Sequence, residues 1–381
     1  MRILYLSPSE PYPGTHAGFT HVHNLLSHLT QEGIRAVLLA GKPETGIKMP
    51  HIKGVEVRHI LASVPLFRNL STLSVAIDVL GNKDFVLIHE RMETVGGVGT
   101  LLASFRHLPH ILEVNDPFLE LNSPAIFRSS LRLLKSLQFS GADAIITQTP
   151  QIRRAIHDIH PKKEVFVIPN GANPDAFPVR ELPDNSRIGF LGSFMPWHGV
   201  HHLIEAFRIV AAELKDAELL LMGNPGHMSR YILQKIRSYG LQSRIRLTGA
   251  VPSHTIPGLL SSCAILIAPF APELDPVRRK YYRRFGFWWS PLKIFEYMAS
   301  GRPVVASGVG MIPDYIKSAG VIFNAGDIQG LARRIIELLT DRERMKRLGM
   351  AGRERVVKIY NWRRMAKLTA RVYHHVLESK D

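Results

Sequence analysis

The segment Ser290-Pro-Leu-Lys-Ile-Phe-Glu296 has a pattern suited to binding a phosphorylated ligand. Ser290 is a favourable N-cap and Pro291 a favourable first helical residue, so we expect a helix to begin here. The free N–H groups and positive dipole end of a helix start suit a diphosphate. Lys293 falls in the first turn, where a cation is unfavourable unless an anion binds nearby. Glu296 could accept hydrogen bonds from a ribose diol, although a solvated Lys and Glu on a surface helix is the alternative.

A second polar cluster follows the predicted strand Arg187–Leu191. Gly192 would let a ligand approach the backbone closely after that strand, or it simply makes a tight turn. Ser193 and His198 come next in the same loop. In doubly wound folds ligands bind in the loops that follow the strands, so chemistry is to be sought here.

Two further polar groups follow apolar runs nearer the N-terminus, at His89-Glu90-Arg91 and at Glu113-Val-Asn-Asp116. Side chains that follow parallel strands collect at the carboxyl edge of a sheet, where ligands bind. His89, Arg91, Asn115 and Asp116 are therefore expected to point into a cleft at that edge. Local capping by Asn115 or Asp116 is the alternative.

Length and composition indicate a two-domain globular protein, because 381 residues exceed one ordinary domain and 45% of them are hydrophobic. The single cysteine, Cys263, cannot form an internal disulfide, which fits a reducing cytoplasm. No apolar run reaches the roughly 18 residues needed to span a bilayer. The net charge of +16 favours anionic partners. Nucleic acid is disfavoured because no zinc-finger, basic-zipper or RNA-binding motif is present.

Short apolar runs alternate with helical patterns along the chain, which predicts parallel sheets covered by helices. The rhythm breaks near Pro169–Asp184 and then restarts, so we expect an α/β protein with two Rossmann-like, doubly wound domains facing across a cleft. The predicted domains are residues 1–170 and 171–360. Residues 361–381 are expected to form a helix that packs back on the first domain. No set of His, Cys, Asp and Glu has convincing metal-ligand spacing.

Several motifs in the same order resemble the retaining glycosyltransferases of family four, which have the two-domain GT-B fold. The motifs are Ile168-Pro-Asn-Gly-Ala-Asn-Pro-Asp-Ala-Phe177, Ile188-Gly-Phe-Leu-Gly-Ser-Phe-Met-Pro-Trp-His-Gly-Val200, Leu219-Leu-Leu-Met-Gly-Asn-Pro225, Arg246-Leu-Thr-Gly249, Ser290–Glu296 and Val309-Gly-Met-Ile-Pro-Asp314. The resemblance extends over nearly the whole chain. It implies transfer of a sugar from a nucleotide diphosphate sugar, most often UDP-linked, to an acceptor hydroxyl, without a metal or other cofactor.

The resemblance also assigns roles to single residues. His198, Lys293 and Glu296 are the expected catalytic residues. The expected donor-binding residues are Gly18, Gly192, Ser193, Arg246, Ser290, Pro291, Leu292 and Glu296. The expected acceptor and sugar region is formed by His89, Arg91, Asn115, Asp116 and Trp288.

This sequence departs from the family pattern at three of these positions. Trp288 replaces the first Glu of a Glu-x7-Glu pair and cannot accept hydrogen bonds from sugar hydroxyls. Ser193 and His198 stand where an Arg and a Lys commonly contact the diphosphate, and Lys293 is expected to supply the missing charge. These departures affect the prediction of which donor sugar binds more than the prediction that a nucleotide binds.

Two basic segments leave alternatives open. Residues 278–284 carry five cations that attract an anionic substrate or form a solvated loop. Residues 127–137 form a basic amphipathic helix that lies on the inner face of a membrane or packs against the protein's own sheet. The acceptor is accordingly expected to be a glycan, a lipid-linked glycan or a small molecule.

Three other functions compete with this prediction. A dinucleotide-dependent oxidoreductase is disfavoured because no Gly-x-Gly-x-x-Gly follows the first strand. A GT-B sugar-phosphate epimerase or phosphorylase shares the architecture. A non-catalytic nucleotide-sugar-binding subunit is the third alternative, given Trp288 and Ser193.

Overall fold

The computed structural model describes residues 1–81 and 84–380, and its chain forms two compact units. The first comprises Met1–Asn170 together with the C-terminal residues from Trp362, and the second comprises Gly171–Asn361. Each unit is built around one parallel sheet with helices in the crossover connections. The predicted α/β, Rossmann-like class is confirmed.

The first unit contains a seven-stranded sheet in the order β3-β2-β1-β4-β5-β6-β7. Its strands are β1 Arg2–Pro11, β2 Arg35–Gly41, β3 Val55–Ile60, β4 Leu87–Arg91, β5 His110–Val114, β6 Ala144–Thr147 and β7 Val165–Val167. Its first helices are α1 Ala17–Leu29, α2 Pro65–Gly81, α3 Val98–Arg106, α4 Arg128–Gly141 and α5 Pro150–His157. The inner strands are almost continuously buried, as expected for a parallel sheet covered on both faces, although they carry several polar residues.

The second unit contains a six-stranded sheet in the order β10-β9-β8-β11-β12-β13. Its strands are β8 Arg187–Leu191, β9 Glu218–Met222, β10 Ile245–Leu247, β11 Ile265–Ala268, β12 Val304–Ser307 and β13 Gly320–Phe323. Its helices are α6 Val200–Glu213, α7 Ser229–Ser238, α8 Ile256–Ser261, α9 Arg279–Phe285, α10 Leu292–Ala299, α11 Ile312–Ile316, α12 Ile328–Leu339 and α13 Arg342–Lys358. The central strands β8 and β11 are neighbours, so the loops that follow them lie side by side.

The last helix, α14 (Trp362–Glu378), belongs to the first unit. It buries an apolar face against α1, with the Trp362 ring edge-on to the His21 ring at a centroid distance of 5.3 Å. Burial of such a face stabilises the helix more than its intrinsic propensity does.

Candidate functional site

The loop after β8 meets the first turn of α10 at Gly192 and Lys293. Gly192 has φ +141°, which favours glycine, and a Cβ at this position would lie 2.6 Å from the Lys293 ammonium nitrogen. The hydroxyl of Tyr297 accepts a 2.7 Å hydrogen bond from the backbone N–H of Leu191, which fixes α10 against the end of β8. These contacts bring two of the sequence motifs together at the carboxyl edge of the second sheet.

The Lys293 ammonium group is buried among aromatic rings. Its Nζ lies 4.3 Å from the Phe190 ring centroid and 5.2 Å from that of Phe270, a cation–π arrangement. Among the residues that the structure describes, Nζ has no hydrogen-bond partner. Burial lowers the pKa of Lys293 to about 7, and the Glu296 charge offsets this only in part. An ammonium with three donors and no acceptor is suited to an anionic ligand.

Glu296 lies one helical turn after Lys293 and is partly buried. Burial raises the pKa of Glu296 to about 7, against the opposing effect of the Lys293 charge. Within residues 1–81 and 84–380, no side chain forms a hydrogen bond or an ion pair within 4 Å with its carboxylate. The carboxylate therefore keeps its accepting capacity for a ligand.

His198 ends the turn Pro196–His198, which docks beside β11. The Ala271 N–H donates to the Trp197 carbonyl at 2.9 Å, and the His198 and Phe270 rings meet edge to face at 5.7 Å. His198 Nδ1 donates to the Ser193 carbonyl, so the neutral ring carries its proton there and presents an unprotonated Nε2. Burial, with the nearby Lys293 charge, lowers the pKa of His198 to about 3. His198 therefore has no permanent charge before an anion binds.

The first turn of α10 differs by one residue from the prediction based on Ser290 and Pro291. Pro291 is the N-cap, Leu292 is the first helical residue, and no side chain caps this end. The Ser290 side chain hydrogen-bonds to the Tyr315 side chain instead. A helix start without a side-chain cap favours anion binding.

Trp288 does not line a sugar pocket, contrary to the prediction. Its side chain has no exposed surface, and its ring lies 4.3 Å from the Tyr282 ring, centroid to centroid. The neighbouring Trp289 Nε1 donates to the Tyr282 hydroxyl at 2.7 Å. A bulky aromatic residue is favoured at this position because it fills the core between α9 and α10.

Arg246 also lies away from this site. It is exposed in the middle of the edge strand β10, and lines a surface groove of about 520 Å³ with residues from the amino ends of strands, such as Arg187 and Glu218. Only the Gly249 region of its motif reaches the carboxyl edge, where Gly249 bridges to Gly223. The structure therefore does not bring Arg246 together with Lys293 and Glu296.

A buried polar network lies at the carboxyl edge of the first sheet, around Glu113. Its carboxylate accepts from the Tyr5 hydroxyl at 2.9 Å and lies 3.0 Å from His21 Nε2, 3.2 Å from His89 Nε2 and 3.3 Å from Arg91 Nε. Burial by itself would raise the pKa of Glu113. The opposing charges of His21 and Arg91, with hydrogen bonds from the two histidines, hold it well below its usual value.

His89 belongs to this network and has no exposed surface, although its side chain lines a small cavity together with His21 and Glu113. Its predicted contact with an acceptor stays a prediction. Its Nδ1 lies 2.8 Å from the Tyr373 hydroxyl of α14, and its ring stacks on Tyr5 at 4.4 Å. Burial lowers the pKa of His89 in spite of the Glu113 carboxylate. The side chain therefore joins the sheet to the last helix.

The remaining candidates of the first unit have structural partners. Arg91 pairs with Glu113 and, at 3.6 Å, with Glu10. Asn115 Oδ1 accepts from the Gln148 amide, and buried Asp116 accepts the Phe118 N–H at 3.0 Å in a local turn. Neither residue caps the following helical turn, whose N-cap is Phe118, so the capping alternative is not borne out and both side chains hold local structure instead.

Gly18 lies in the first turn of α1, and the Glu10 carboxylate occupies the space that its Cβ would need. A carboxylate at this place repels a phosphate. The structure therefore does not support Gly18 as a diphosphate contact.

Sequence reasoning missed the two aromatic residues that define the Lys293 site, Phe190 and Phe270, and the central residue of the buried network, Glu113. The phenylalanines resemble ordinary core positions in the sequence. Glu113 left a signal, since a lone carboxylate within the apolar strand His110–Val114 needs partners when it is buried.

Neither a metal-ion site nor a membrane-spanning helix is found within the described residues. No group of three or more His, Cys, Asp or Glu in residues 1–81 and 84–380 is arranged to hold a metal ion. None of the helices in the same part of the chain has the length and apolar character needed to cross a membrane.

Comparisons with known proteins agree on one class. Residues 18–176 match the family described as Glycosyltransferase Family 4, and residues 185–341 match Glycosyl transferases group 1. Alpha-maltose-1-phosphate synthase of Mycolicibacterium smegmatis is 25% identical, and the alignment covers 99% of this chain and 100% of that protein.

Two solved structures share the fold. Sucrose-phosphate synthase from Thermosynechococcus elongatus has a TM-score of 0.79 at 18% identity, covering 99% of both chains. Anabaena HepE in complex with UDP has a TM-score of 0.74 at 17% identity, covering 98% of this chain and all of the other. Both likenesses concern the fold.

The two parallel sheets, the open helix start with its buried ammonium, and these similarities define a glycosyltransferase with the GT-B fold. The chain belongs to the group 1 glycosyltransferases, family four.

Proposed function

We propose that this protein transfers a glycosyl group from a nucleotide diphosphate sugar, with UDP as the nucleotide, to an acceptor hydroxyl with retention at the anomeric carbon. The observation that carries the proposal is the Lys293 ammonium group. It is buried, it has no hydrogen-bond partner among the described residues, and it lies beside Gly192 and the uncapped start of α10. A cation in this position is stabilised when an anion binds.

The diphosphate would be bound by groups from three elements. The N–H groups of the first turn of α10 would donate to phosphate oxygens, and Lys293 would supply a full charge. Gly192 leaves its backbone open to close approach. The negative charge would raise the pKa of His198, so that its Nε2 binds a proton and becomes a second donor.

Glu296 is assigned to the ribose. Its carboxylate lies one turn beyond Lys293 and has no partner among the described side chains, so it is able to accept hydrogen bonds from two vicinal hydroxyls. A site whose partly buried carboxylate binds the ribose diol discriminates strongly against a nucleotide without that diol.

In the reaction, the bond between the anomeric carbon and the diphosphate oxygen breaks while the acceptor oxygen bonds to that carbon. The bonding pair leaves with the diphosphate, and the acceptor proton passes to a diphosphate oxygen on the same face. Lys293, protonated His198 and the α10 N–H groups would stabilise the charge that grows on the leaving group, which is the term that lowers the barrier. No protein nucleophile is required.

The part of the site expected to contact the donor sugar differs from the family pattern. Trp288, at the position of the usual first Glu, is fully buried and leaves no carboxylate for the sugar hydroxyls. Sugar selection must therefore use other groups.

The comparisons support UDP as the nucleotide, because Anabaena HepE has been crystallised with UDP and with UDP-glucose. They leave the acceptor as a glycan, a lipid-linked glycan or a small molecule. A TarM mutant structure contains UDP together with alpha-GlcNAc-glycerol and Fondaparinux, a glycan example of such a ligand.

Calorimetric titration of UDP, GDP, ADP and their sugars tests the donor site. We expect UDP and a UDP-sugar to bind wild type, Lys293→Ala and Glu296→Ala to bind at least about tenfold more weakly, and Arg246→Ala to match wild type as a basic control outside the site. Unchanged binding in both site variants would exclude this assignment.

Transfer is tested on an acceptor panel with a labelled UDP-sugar, and the anomeric configuration of the product is read by NMR. Retention supports the proposed mechanism. Inversion, epimerisation of the donor, or binding without turnover would each contradict it and favour one of the alternative functions.

A further inference from the structure

Three helices of the first unit expose large apolar side chains on their outer faces. On α2 these are Leu66, Phe67, Leu70 and Ile77. On α3 they are Leu101 and Phe105, the latter 80% exposed. On α4 and the turn before it they are Ile126, Phe127, Leu133 and Leu137. A contiguous exposed apolar surface of this kind marks an interaction site.

Unlike an ordinary surface helix, α4 buries a charged side chain and exposes apolar ones. It buries Lys135 at 3% exposure and leaves Leu133 64% exposed. The Lys135 ammonium group donates to the Pro117 carbonyl at 2.7 Å and to Glu120 at 2.8 Å inside the unit. Burying a paired charge while exposing leucines costs free energy in water. We therefore expect the outward face to contact an apolar environment instead of water.

The three helices form one continuous face. The connections β3–α2–β4, β4–α3–β5 and β5–α4–β6 all advance in the same direction across the sheet, so right-handed crossovers place the helices on one side. Asn69 of α2 donates to the Val95 carbonyl just before α3, at 2.9 Å. Gly141 of α4 packs so closely on Thr100 of α3 that a Cβ would not fit between them.

Cations outnumber carboxylates on these helices. Of their five cations, Lys135 is buried, Arg68 pairs with the Glu93 carboxylate and Arg128 donates to two backbone carbonyls, and the single carboxylate is Asp78. Arg106 and Arg132 are exposed next to the apolar residues Phe105 and Leu133. Arginines that border exposed leucine and phenylalanine are the pattern of a helix that lies in the interface of an anionic bilayer.

We propose that the outer faces of α2, α3 and α4 bind the surface of an anionic lipid bilayer, with the apolar side chains inserted among the acyl chains and the arginines at the phosphates. The apolar side chains project from the outer surfaces of the helices, so fluid acyl chains are able to pack around them. The sequence pattern of residues 127–137 pointed to α4 alone. The structure extends the surface to two further helices.

Vesicle flotation tests the proposal with the full chain. We expect wild type to float with vesicles of equimolar phosphatidylglycerol and phosphatidylcholine at low salt, and to bind less at high salt or to phosphatidylcholine alone. The triple variant Phe105→Ser, Leu133→Ser, Leu137→Ser should lose about tenfold or more of the bound fraction. Arg132→Glu should weaken binding to the anionic vesicles and make it less sensitive to salt.

The matched control is Met350→Ser with Val357→Ser, which removes two exposed apolar side chains from α13 of the second unit. It should float like wild type. Thermal unfolding should be unchanged in all variants, because the substituted side chains are exposed.

Three outcomes would overturn the proposal. One is that wild type stays unbound to anionic vesicles, and another is that the triple variant floats as wild type does. Sedimentation velocity that shows a wild-type dimer and a monomeric triple variant would instead make this face an interface between two copies of the chain.

Discussion

The Lys293 ammonium nitrogen occupies the space that a side chain at residue 192 would need, because a Cβ built on Gly192 lies 2.6 Å from it. The two residues come from different sequence motifs, and their contact brings the β8 loop and the start of α10 into one candidate phosphate site. The structural relationship makes Gly192 testable as part of that site.

Gly192→Ala should weaken UDP binding about tenfold or more and lower stability by about 1–3 kcal/mol. The added methyl displaces Lys293, and φ +141° is unfavourable for alanine. Calorimetry and urea unfolding measure the two effects. The control is Gly258→Ala in α8, where a Cβ meets no atom within 4 Å. Similar UDP affinity in both variants would count against a phosphate site at Gly192.

Lys293→Ala should lower kcat by about 100-fold to 1000-fold, since it removes the charge that stabilises the leaving diphosphate. The variant should be at least as stable as wild type, because the lost ammonium group is buried without a hydrogen-bond partner among the described residues. Steady-state kinetics and thermal unfolding test the two statements separately. A large loss of stability together with normal kcat would show that the lysine is structural.

UDP affinity should fall as the pH rises above about 7. Burial lowers the pKa of Lys293 in the free protein to about 7, whereas a bound anion holds the proton, so binding requires proton uptake and weakens up to about tenfold per pH unit. Glu296, with a pKa raised to about 7, becomes the ionised acceptor proposed for the ribose over the same range, so it offsets part of this loss. His198, with a pKa near 3, stays neutral in the free protein throughout.

Titrations between pH 6 and 9 measure this dependence, with Lys293→Arg as the comparison. A guanidinium keeps its charge over the whole range, so the variant should show a flatter profile whatever its absolute affinity. Identical slopes for wild type and Lys293→Arg would exclude the lysine as the titrating group.

Glu113→Gln should destabilise the protein by about 3–5 kcal/mol, because Arg91 and the histidines around it lose their buried counter-charge. Since the folded-state pKa of Glu113 is depressed, its stabilising contribution is present above the usual glutamate pKa and is lost as the pH falls through the folded value. The difference in unfolding free energy between variant and wild type should therefore shrink in acid.

The control for this measurement is Glu218→Gln, which breaks the exposed ion pair with Arg187. Exposed pairs contribute about 0–1 kcal/mol, so this variant should stay close to wild type. Equal destabilisation in the two variants would argue against a special role for the Glu113 network.

Local patterns predicted the secondary structure closely where they were strong. The strand Arg187–Leu191 has the predicted bounds, because a short apolar run between polar turns has few alternatives. Strand β3 and helix α9 were not predicted. The apolar content of β3 is low at a sheet edge, and α9 is a run of cations whose helical form depends on Asp275 accepting two backbone N–H groups.

The candidate site residues also include some whose positions the sequence predicted and some whose positions it did not. The sequence predicted that Lys293 and Glu296 lie on one side of a helix at a strand end, since helical spacing and parallel-sheet topology fix that. It did not predict that Trp288 and His89 are fully buried, because burial depends on which elements pack over a residue. Arg246 was misplaced for a similar reason, as alternation along an edge strand decides which face it joins.

The sequence by itself determined the family, the two parallel sheets and the polar residues near their carboxyl edges, because period, turn chemistry and motif order are local properties. Only the tertiary structure decided which of those groups are free to act. It left Lys293 among aromatic rings without a hydrogen-bond partner within the described residues, used His89 and Glu113 to hold α14, and turned the leucines of α4 outward. These outcomes depend on contacts between distant segments, which fix the burial and electrostatic surroundings of each side chain.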